Sequence, residues 1–398
     1  MYEYVMYGST MRLLLTFEYP FHALGYGGGH QITRGLARAL ARQGHEVHVA
    51  CTGVDELGVA AADSGVQFHF GGSFSSRSSP WRAAAVALPL VHRLRPHIVC
   101  SFTSEAAIVL PVARAAGART LMYLAAPDLK PFRSASMATL RDVRRNLGQF
   151  LQFVGCGAAH RILTLSDYLA EQATARWGIA PCRLEAVGVG LDDAICATPV
   201  VEAPTLPAGG LHLASVGRLS FAQKPLDVAA TALALVPDTW SRWSIVGAGE
   251  DDAALRAHIE RLGIGGRVDM LGTLPSAEVS SVLDRAHAAV LPSRYESFFL
   301  SVYEAAARGR PVLTSMVADI ARDFAHNPSV RALPVVQAAA FAQVLREWRA
   351  DYAGVAARAL ADAERVRLRL TWDHVAARVL EAAHHPRFRD SSSVPAAA

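Results

Sequence analysis

The sequence has few cysteines and no long apolar run, and both absences limit the classes of protein to which it can belong. The 398 residues include five cysteines, none in C-x-x-C spacing, so neither a disulfide framework nor a zinc site is predicted. A reducing cytoplasm is therefore the expected location. No stretch of about 18 residues is both apolar and uncharged, which argues against a membrane span. The first ten residues also lack the basic and apolar segments of a signal peptide.

The charges are nearly balanced and widely scattered. The net charge is +4, from 39 basic and 35 acidic residues, without the basic stripe that is typical of nucleic-acid binders. No nucleic-acid partner is therefore expected. Three arginines at helical spacing, Arg34, Arg38 and Arg42, form either an ordinary solvated face or a weak peripheral contact with an anionic membrane.

Strand-like apolar runs alternate with helical periods along most of the chain. The strand Arg12–Phe17 leads through a glycine triplet at 27–29 into a predicted helix, His30–Gln43, and then to the strand Glu46–Cys51. This βαβ order recurs along the chain and predicts parallel sheets with helices on both faces. With 398 residues, of which 52% are hydrophobic, the chain is long enough for two such domains.

A change of composition divides the chain into two series. The segment CATPVVEAPTLPAGG contains three prolines and has no periodicity, and a second βα series starts at Leu211. We predict an N-terminal Rossmann-like domain over residues 1–194, a linker over 195–210 and a C-terminal Rossmann-like domain over 211–370. A closing helix is predicted over 371–389, and a disordered tail over 390–398.

Two glutamates belong to the sharpest motif, LPSRYESFFLSVYEAAARGRPVLTS. Glu296 precedes a predicted helix, and Glu304 lies inside that helix on the same face. The backbone N–H groups of Ser297, Phe298 and Phe299, at the positive end of the helix dipole, suit a diphosphate or sugar hydroxyls. Taken alone, the spacing also fits two solvated glutamates on a surface helix.

A cationic loop follows the first strand of the second series. In SVGRLSFAQKPLD, Gly217 allows a tight turn, and Arg218 and Lys224 follow the carboxyl end of a strand, where open α/β sheets hold ligands. Such a pair suits the charge of a pyrophosphate leaving group, although two ordinary surface cations also fit. The later IVGAGEDD includes Gly247 but lacks the third glycine of a dinucleotide fingerprint, so a structural turn explains it as well as an NAD site does.

Together, these segments resemble glycosyltransferase family 4, a large retaining family with the GT-B fold. The resemblance spans most of residues 11–373 and includes HRILTLSDYLAE, VGVGLDDA, VGRL with Lys224, VGAGE, the two glutamates and TWDHVAARVL, in the family's order. It implies an α/β fold with two Rossmann-like domains facing a central cleft. The N-terminal domain would bind the acceptor and the C-terminal domain the nucleotide sugar, and the closing helix would pack back toward the N-terminal domain.

The resemblance also implies roles for individual residues. Arg218 and Lys224 would grip the donor diphosphate, Glu304 would hold the ribose hydroxyls, and Glu296 would contact the transferred sugar. The catalytic set is therefore Arg218, Lys224 and Glu296. Acceptor contacts are expected from Glu18 and Asp128. The predicted donor site also contains Gly28, Gly29, Gly217, Gly247, Ser297, Phe298 and Phe299.

The implied activity is retaining, metal-independent transfer of a hexose from a UDP-sugar, or a GDP-sugar, to a hydroxyl acceptor in bacterial natural-product or glycan biosynthesis. No D-x-D metal motif is present, and no cofactor other than the donor is expected. Three alternatives remain open at this stage: a nucleotide-sugar-binding protein without turnover, a phosphorylase or synthase of the same fold, and an NAD oxidoreductase.

Several positions depart from the family pattern. The glutamate is usually followed by Gly-Phe-Gly, and here by Ser297, Phe298 and Phe299. Pro225 replaces the glycine that usually follows the loop lysine, and a histidine expected near Tyr123 is absent. These departures concern the contacts to the donor sugar more than those to its diphosphate.

Overall fold

The computed structural model describes residues 10–21, 28–53, 65–73, 81–102, 106–125, 150–196, 198–327 and 329–384. By its internal contacts the chain divides into two units. One comprises Met1–Gly190 with Trp372–Ala398, and the other comprises Leu191–Thr371. Each unit contains a sheet in which all the described strand pairs are parallel. Two parallel sheets in succession are what the repeated βα alternation predicts.

The first unit contains a seven-stranded sheet in the order β3-β2-β1-β4-β5-β6-β7. Its strands are β1 (Arg12–Phe21), β2 (Glu46–Gly53), β3 (Val66–Ser73), β4 (Ile98–Ser101), β5 (Arg119–Leu124), β6 (Arg161–Thr164) and β7 (Leu184–Ala186). Its helices are α1 (Gly28–Arg42), α2 (Trp81–Leu94), α3 (Val109–Ala115) and α4 (Asp167–Trp177), with further helical turns at 150–158 and the closing helix described below.

The second unit contains a six-stranded sheet in the order β10-β9-β8-β11-β12-β13. Its strands are β8 (Leu211–Val216), β9 (Trp240–Val246), β10 (Val268–Gly272), β11 (Ala288–Leu291), β12 (Val312–Ser315) and β13 (Val330–Leu333). Its helices are α5 (Asp193–Cys196), α6 (Leu226–Ala234), α7 (Asp252–Arg261), α8 (Ser276–Arg285), α9 (Leu300–Ala307), α10 (Ile320–Asp323), α11 (Ala338–Ala350) and α12 (Tyr352–Arg369). The strand order reverses between β8 and β11, so the loops after these two strands diverge and leave a crevice at their carboxyl ends.

Local signals place several boundaries where the sequence predicts them. The Ser166 side chain accepts a hydrogen bond of 3.2 Å from the Leu169 backbone N–H and caps α4. Gly44, the residue that follows the predicted helix His30–Gln43, has a φ of 85°, a conformation that favours glycine. The glycines before α1 are placed differently from the prediction, because the helix begins at Gly28 rather than at His30.

The closing helix, α13 (Trp372–His384), groups with the first unit. The Trp372 indole lies where only glycine leaves room: a Cβ at Gly35 would be 2.1 Å from its Cε2, and one at Gly190 would be 2.5 Å from its ring. Arg42, at the end of α1, donates a 3.0 Å hydrogen bond to Asp373. The face of α1 that carries Gly35 therefore packs against α13.

Two arginines of the second unit, Arg308 and Arg367, hold the first residues of the predicted linker in place. The Arg308 side chain is fully buried and donates to the carbonyl oxygens of Ile195 and Thr198, at 3.2 and 3.1 Å, and forms a 2.7 Å ion pair with Asp284. Arg367 donates to the same two carbonyl oxygens, at 3.1 and 2.9 Å. By its contacts the chain divides after Gly190 rather than after residue 194, because residues of the second unit hold the segment that follows.

Candidate functional site

The second sheet presents a cavity at its switch point. The cavity lies between the loop that follows β8 and the loop that follows β11. Among the described residues that line it, Lys224 is the only charged one, and most of the others are apolar. The lining residues are Ser215, Val216, Gly217, Lys224, Leu226, Leu291, Pro292 and Phe299. Two stretches that the sequence marks as motifs therefore meet where parallel sheets hold ligands.

Lys224 and Glu296 form the central ion pair of this site. The Lys224 Nζ donates to Glu296 Oε1 at 2.7 Å, and the two side chains are only 13% and 11% exposed. The same Nζ lies 4.1 Å from the centre of the Phe299 ring. A carboxylate and an aromatic face therefore hold the ammonium in a place with little solvent.

Ser293 ties the neighbouring loops together. Its hydroxyl lies 3.0 Å from Glu296 Oε1 and 3.3 Å from the carbonyl oxygen of Gln223, the residue before Lys224. Its backbone N–H donates to the hydroxyl of Ser315, the last residue of β12, at 3.0 Å. Ser293 therefore connects both members of the ion pair to the ends of β11 and β12.

Two glycines let the backbone pass closely beneath the lysine. Gly217 has a φ of 146°, and a Cβ there would lie 2.9 Å from Lys224 Cε. Gly247 has a φ of 136°, and a Cβ there would lie 1.9 Å from the Gly217 carbonyl oxygen. Gly247 therefore allows the loops after β8 and β9 to approach, which is a structural reason for a glycine in the VGAGE segment.

Arg218 lies at the exposed edge of the site. A 2.6 Å hydrogen bond from the Ser220 hydroxyl lowers the pKa of the exposed Glu250, and the charge of Arg218 lowers it further by a smaller amount. The Asp251 carboxylate accepts a 2.6 Å hydrogen bond from the Phe221 N–H. These acidic residues fix the backbone of the loop, and they leave the Arg218 side chain facing solvent.

Glu304 is a buried carboxylate on α9. It is 7% exposed, and among the described residues no donor forms a hydrogen bond with its side chain. Burial, followed by the negative charge of Asp192, raises the pKa of Glu304 to about 7, while Lys224 opposes the shift. Asp192 accepts a 3.0 Å hydrogen bond from the Ser276 hydroxyl. Glu304 is thus a mostly buried carboxylate that forms no side-chain hydrogen bond with the described residues.

The start of α9 is held by aromatic packing. Phe299 occupies the N-cap position, and no side chain caps the helix there. The Phe298 ring stacks on Tyr303 with centroids 4.5 Å apart, and the Tyr303 hydroxyl donates to Asp323 at 2.6 Å. The backbone of the predicted donor loop is therefore fixed from the side of α10.

The structure brings together most of the predicted donor residues of the second unit. Gly217, Lys224, Glu296 and Phe299 meet around one ammonium group, and Glu304 is close enough for the charge of Lys224 to act on its pKa.

The predicted site residues of the first unit are placed by its own strands and helices. Gly28 and Gly29 are the first residues of α1, and Glu18 lies in β1, all in the first unit. Asp128 lies outside the described residues. Asp192, Ser276 and Ser293 were not predicted as site residues, since a lone serine or aspartate in a loop has no distinctive pattern.

The described part of the chain lacks two features, a cluster of metal ligands and a membrane-spanning helix. It contains no group of three or more His, Cys, Asp or Glu residues arranged to hold a metal ion. Among the same residues, no helix combines the length and the apolar character needed to cross a bilayer.

Comparisons with known proteins agree on one family. A model described as Glycosyltransferase Family 4 matches residues 26–194, and one described as Glycosyl transferases group 1 matches residues 210–351. A glycogen synthase of Mycobacterium tuberculosis is 28% identical over 222 residues, which are 54% of this chain and 51% of that protein. The chain therefore spans about half the length of the curated relatives it matches.

Solved structures show the same architecture over nearly the whole chain. HepE of Anabaena, in complex with UDP and glucose, has a TM-score of 0.72 at 16% identity, and the match covers 94% of this chain and 100% of the HepE chain. Sucrose-phosphate synthase of Thermosynechococcus elongatus has a TM-score of 0.71 at 18% identity, with coverages of 93% and 97%. WaaG, a glycosyltransferase involved in lipopolysaccharide biosynthesis, has a TM-score of 0.67 at 18% identity, with coverages of 93% and 98%.

Proposed function

Because the chain belongs to the family 4 (group 1) glycosyltransferases and has their GT-B fold, we propose that it transfers a hexose from a UDP-sugar to a hydroxyl acceptor with retention of configuration. One observation carries this proposal. At the switch point of the second sheet, a partly buried cation, its carboxylate partner and a buried carboxylate with no described hydrogen-bond donor lie together. These groups match the parts of a nucleotide sugar, namely a diphosphate, a sugar and a ribose.

In this proposal each residue acts on one part of the donor. Glu304 accepts hydrogen bonds from the ribose hydroxyls, which supply the donors its environment lacks. Lys224 and Arg218 neutralise the charge that develops on the leaving diphosphate. Glu296 exchanges its bond with Lys224 for a hydroxyl of the transferred sugar. The acceptor hydroxyl attacks from the side that the diphosphate leaves, and a diphosphate oxygen takes its proton.

The cationic pair supports a reaction without a metal ion, since Lys224 and Arg218 supply the positive charge that a divalent cation supplies in other transferases. UDP is the first nucleotide to test, because the HepE structures hold UDP or UDP-glucose. The five cysteines all lie in the described part of the chain and none of them forms a disulfide, which is typical of a reducing compartment and supports a cytoplasmic location.

A second candidate is synthesis of an α-glucan, favoured by the similarity to a glycogen synthase over half of this chain. The two proposals share the donor site and differ in the acceptor. A glucan synthase elongates an oligosaccharide primer, whereas a transferase of glycan or natural-product biosynthesis modifies another hydroxyl compound once.

The test begins with the donor. Thermal unfolding of the protein is measured with UDP, GDP and their sugars, and the stabilising donor is then incubated with candidate acceptors, including maltooligosaccharides. Mass spectrometry identifies the product, and NMR of its anomeric centre gives the stereochemistry. The reaction is expected to proceed in EDTA with retention. An inverted product, or turnover only with an added metal, would refute the proposed mechanism. Lys224→Met serves as the inactive control.

A further inference from the structure

Phe299 is unusual for its position in the donor loop. The family pattern has a glycine there, and this chain has an aromatic residue that is only 1% exposed. Its ring does more than fill the core, because one face lies 4.1 Å from Lys224 Nζ. The same ring lines the cavity at the ends of β8 and β11.

The lysine needs such partners to keep one position. A lysine side chain is a point charge on a flexible four-carbon stem, and it loses rotamer freedom when it is fixed. Here the stem passes over Gly217, and the ammonium lies between the Glu296 carboxylate and the Phe299 ring. The Lys224 side chain is 13% exposed, so water competes little with either contact. A cation–π contact is stronger when the cation is desolvated.

We propose that Phe299 is a positioning residue for donor binding, whose ring holds the Lys224 ammonium where the donor diphosphate docks. The inference rests on the proposed function, since it takes the ligand to be a nucleoside diphosphate. When the diphosphate arrives, the ammonium exchanges its Glu296 oxygen for a phosphate oxygen and keeps its contact with the ring. Glu296 then accepts a hydrogen bond from the transferred sugar. The Phe299 ring thus stays in contact with the Lys224 ammonium throughout, while the other partner of the ammonium changes from Glu296 to the phosphate.

Core packing alone is the competing explanation. Phe299 also packs among the apolar residues around Leu291 and Val302, so truncating it disturbs the fold whatever its effect on the lysine. A double-mutant cycle separates the two explanations, because it isolates the part of the effect that requires the lysine charge.

The cycle consists of wild type, Phe299→Leu, Lys224→Met and the double variant. The affinity for UDP is measured by calorimetry, with GDP as a second probe and neutral uridine as the uncharged comparison. Phe299→Leu is expected to weaken UDP binding by about fivefold when Lys224 is present, on the scale of a cation–π contact. It is expected to have little effect on UDP binding in the Lys224→Met background, and little effect on uridine binding in either. Phe299→Tyr, which keeps the ring face, is expected to bind UDP like wild type.

Phe341→Leu is the matched control, since Phe341 is fully buried in another core cluster of the same unit. It should lower the thermal stability without weakening UDP binding. If Phe299→Leu does not fold, Phe299→Met enters the same cycle. Equal losses in both lysine backgrounds, or unchanged UDP affinity in Phe299→Leu, would overturn the inference and leave the proposed function standing. Wild-type protein that binds neither UDP nor GDP would overturn both.

Discussion

Replacing Glu304 with glutamine is expected to stabilise the free protein above neutral pH and to weaken its binding of nucleotide. The two effects have one cause: the carboxylate is buried and has no hydrogen-bond donor among the described residues. In the free protein its charge is a cost. In the proposed nucleotide complex it would accept hydrogen bonds from the ribose hydroxyls. Glutamine removes the charge and keeps the size of the side chain.

The magnitude follows from the pKa of Glu304, which burial raises from 4.5 to about 7. Between these values the folded protein holds a proton that the unfolded chain has released. The free energy of unfolding therefore falls as the pH rises from 4.5 through 7, and remains lower above that. At about 1.4 kcal/mol for each pKa unit, the ionised group costs roughly 3 kcal/mol at about pH 8. Below 4.5 both states are protonated, and the cost disappears.

Urea unfolding at about pH 8 and about pH 4.5 measures the stability effect. Glu304→Gln should be more stable than wild type by up to about 3 kcal/mol at the higher pH and similar to it at the lower one. Glu364→Gln, which changes an exposed glutamate on α12, should show neither effect. Calorimetry with UDP should show a loss of roughly tenfold or more in Glu304→Gln, the scale of a hydrogen bond to a charged group. A variant that is no more stable at the higher pH, or that binds UDP like wild type, would refute the reasoning.

Three further predictions concern the same site. Arg218→Ala should lower turnover by roughly 10-fold or more without changing thermal unfolding, since the exposed side chain is expected to contact the diphosphate alone; an unchanged turnover number would exclude that contact. Glu296→Gln should leave the affinity for free UDP close to that of wild type and slow single-turnover transfer, because its sugar contact strengthens only in the transition state. Normal transfer would remove it from the reaction. Gly247→Ala should destabilise the protein by more than about 3 kcal/mol in urea, since its φ is 136° and a Cβ would lie 1.9 Å from the Gly217 carbonyl oxygen; an unchanged midpoint would contradict the close approach.

The sequence predicts most of the fold because the signals for parallel βα units are local. An apolar run followed by a turn and a helical period identifies a unit without any knowledge of its neighbours, as at the predicted strand Glu46–Cys51, where the observed strand runs from Glu46 to Gly53. The helix Trp81–Leu94 was not predicted, and it contains Pro89, which usually marks a boundary rather than an interior. The strand Val66–Ser73 was not predicted either.

The candidate site was only partly predictable, for a different reason. Lys224 and Glu296 are marked by their motifs, but their mutual ion pair depends on β8 and β11 being neighbours, which the order along the chain does not state. Ser293 becomes important only once three loops meet around it. The arginine Arg308 shows the same limit, since its burial depends on carbonyl oxygens from a segment more than a hundred residues earlier in the chain.

In the proposed assignment, the diphosphate and the ribose of a nucleotide sugar meet different surroundings in the free site. At the diphosphate end, Lys224 already has a carboxylate partner, so binding exchanges one ion pair for another and gains little net energy. At the ribose end, Glu304 has no donor, so each hydroxyl that reaches it removes a cost present in the free protein. The nucleoside should therefore supply most of the ground-state affinity. The interaction of Lys224 with the diphosphate should supply a smaller part of the affinity, and it should strengthen as charge develops on the leaving group, so Lys224 acts on the rate more than on binding.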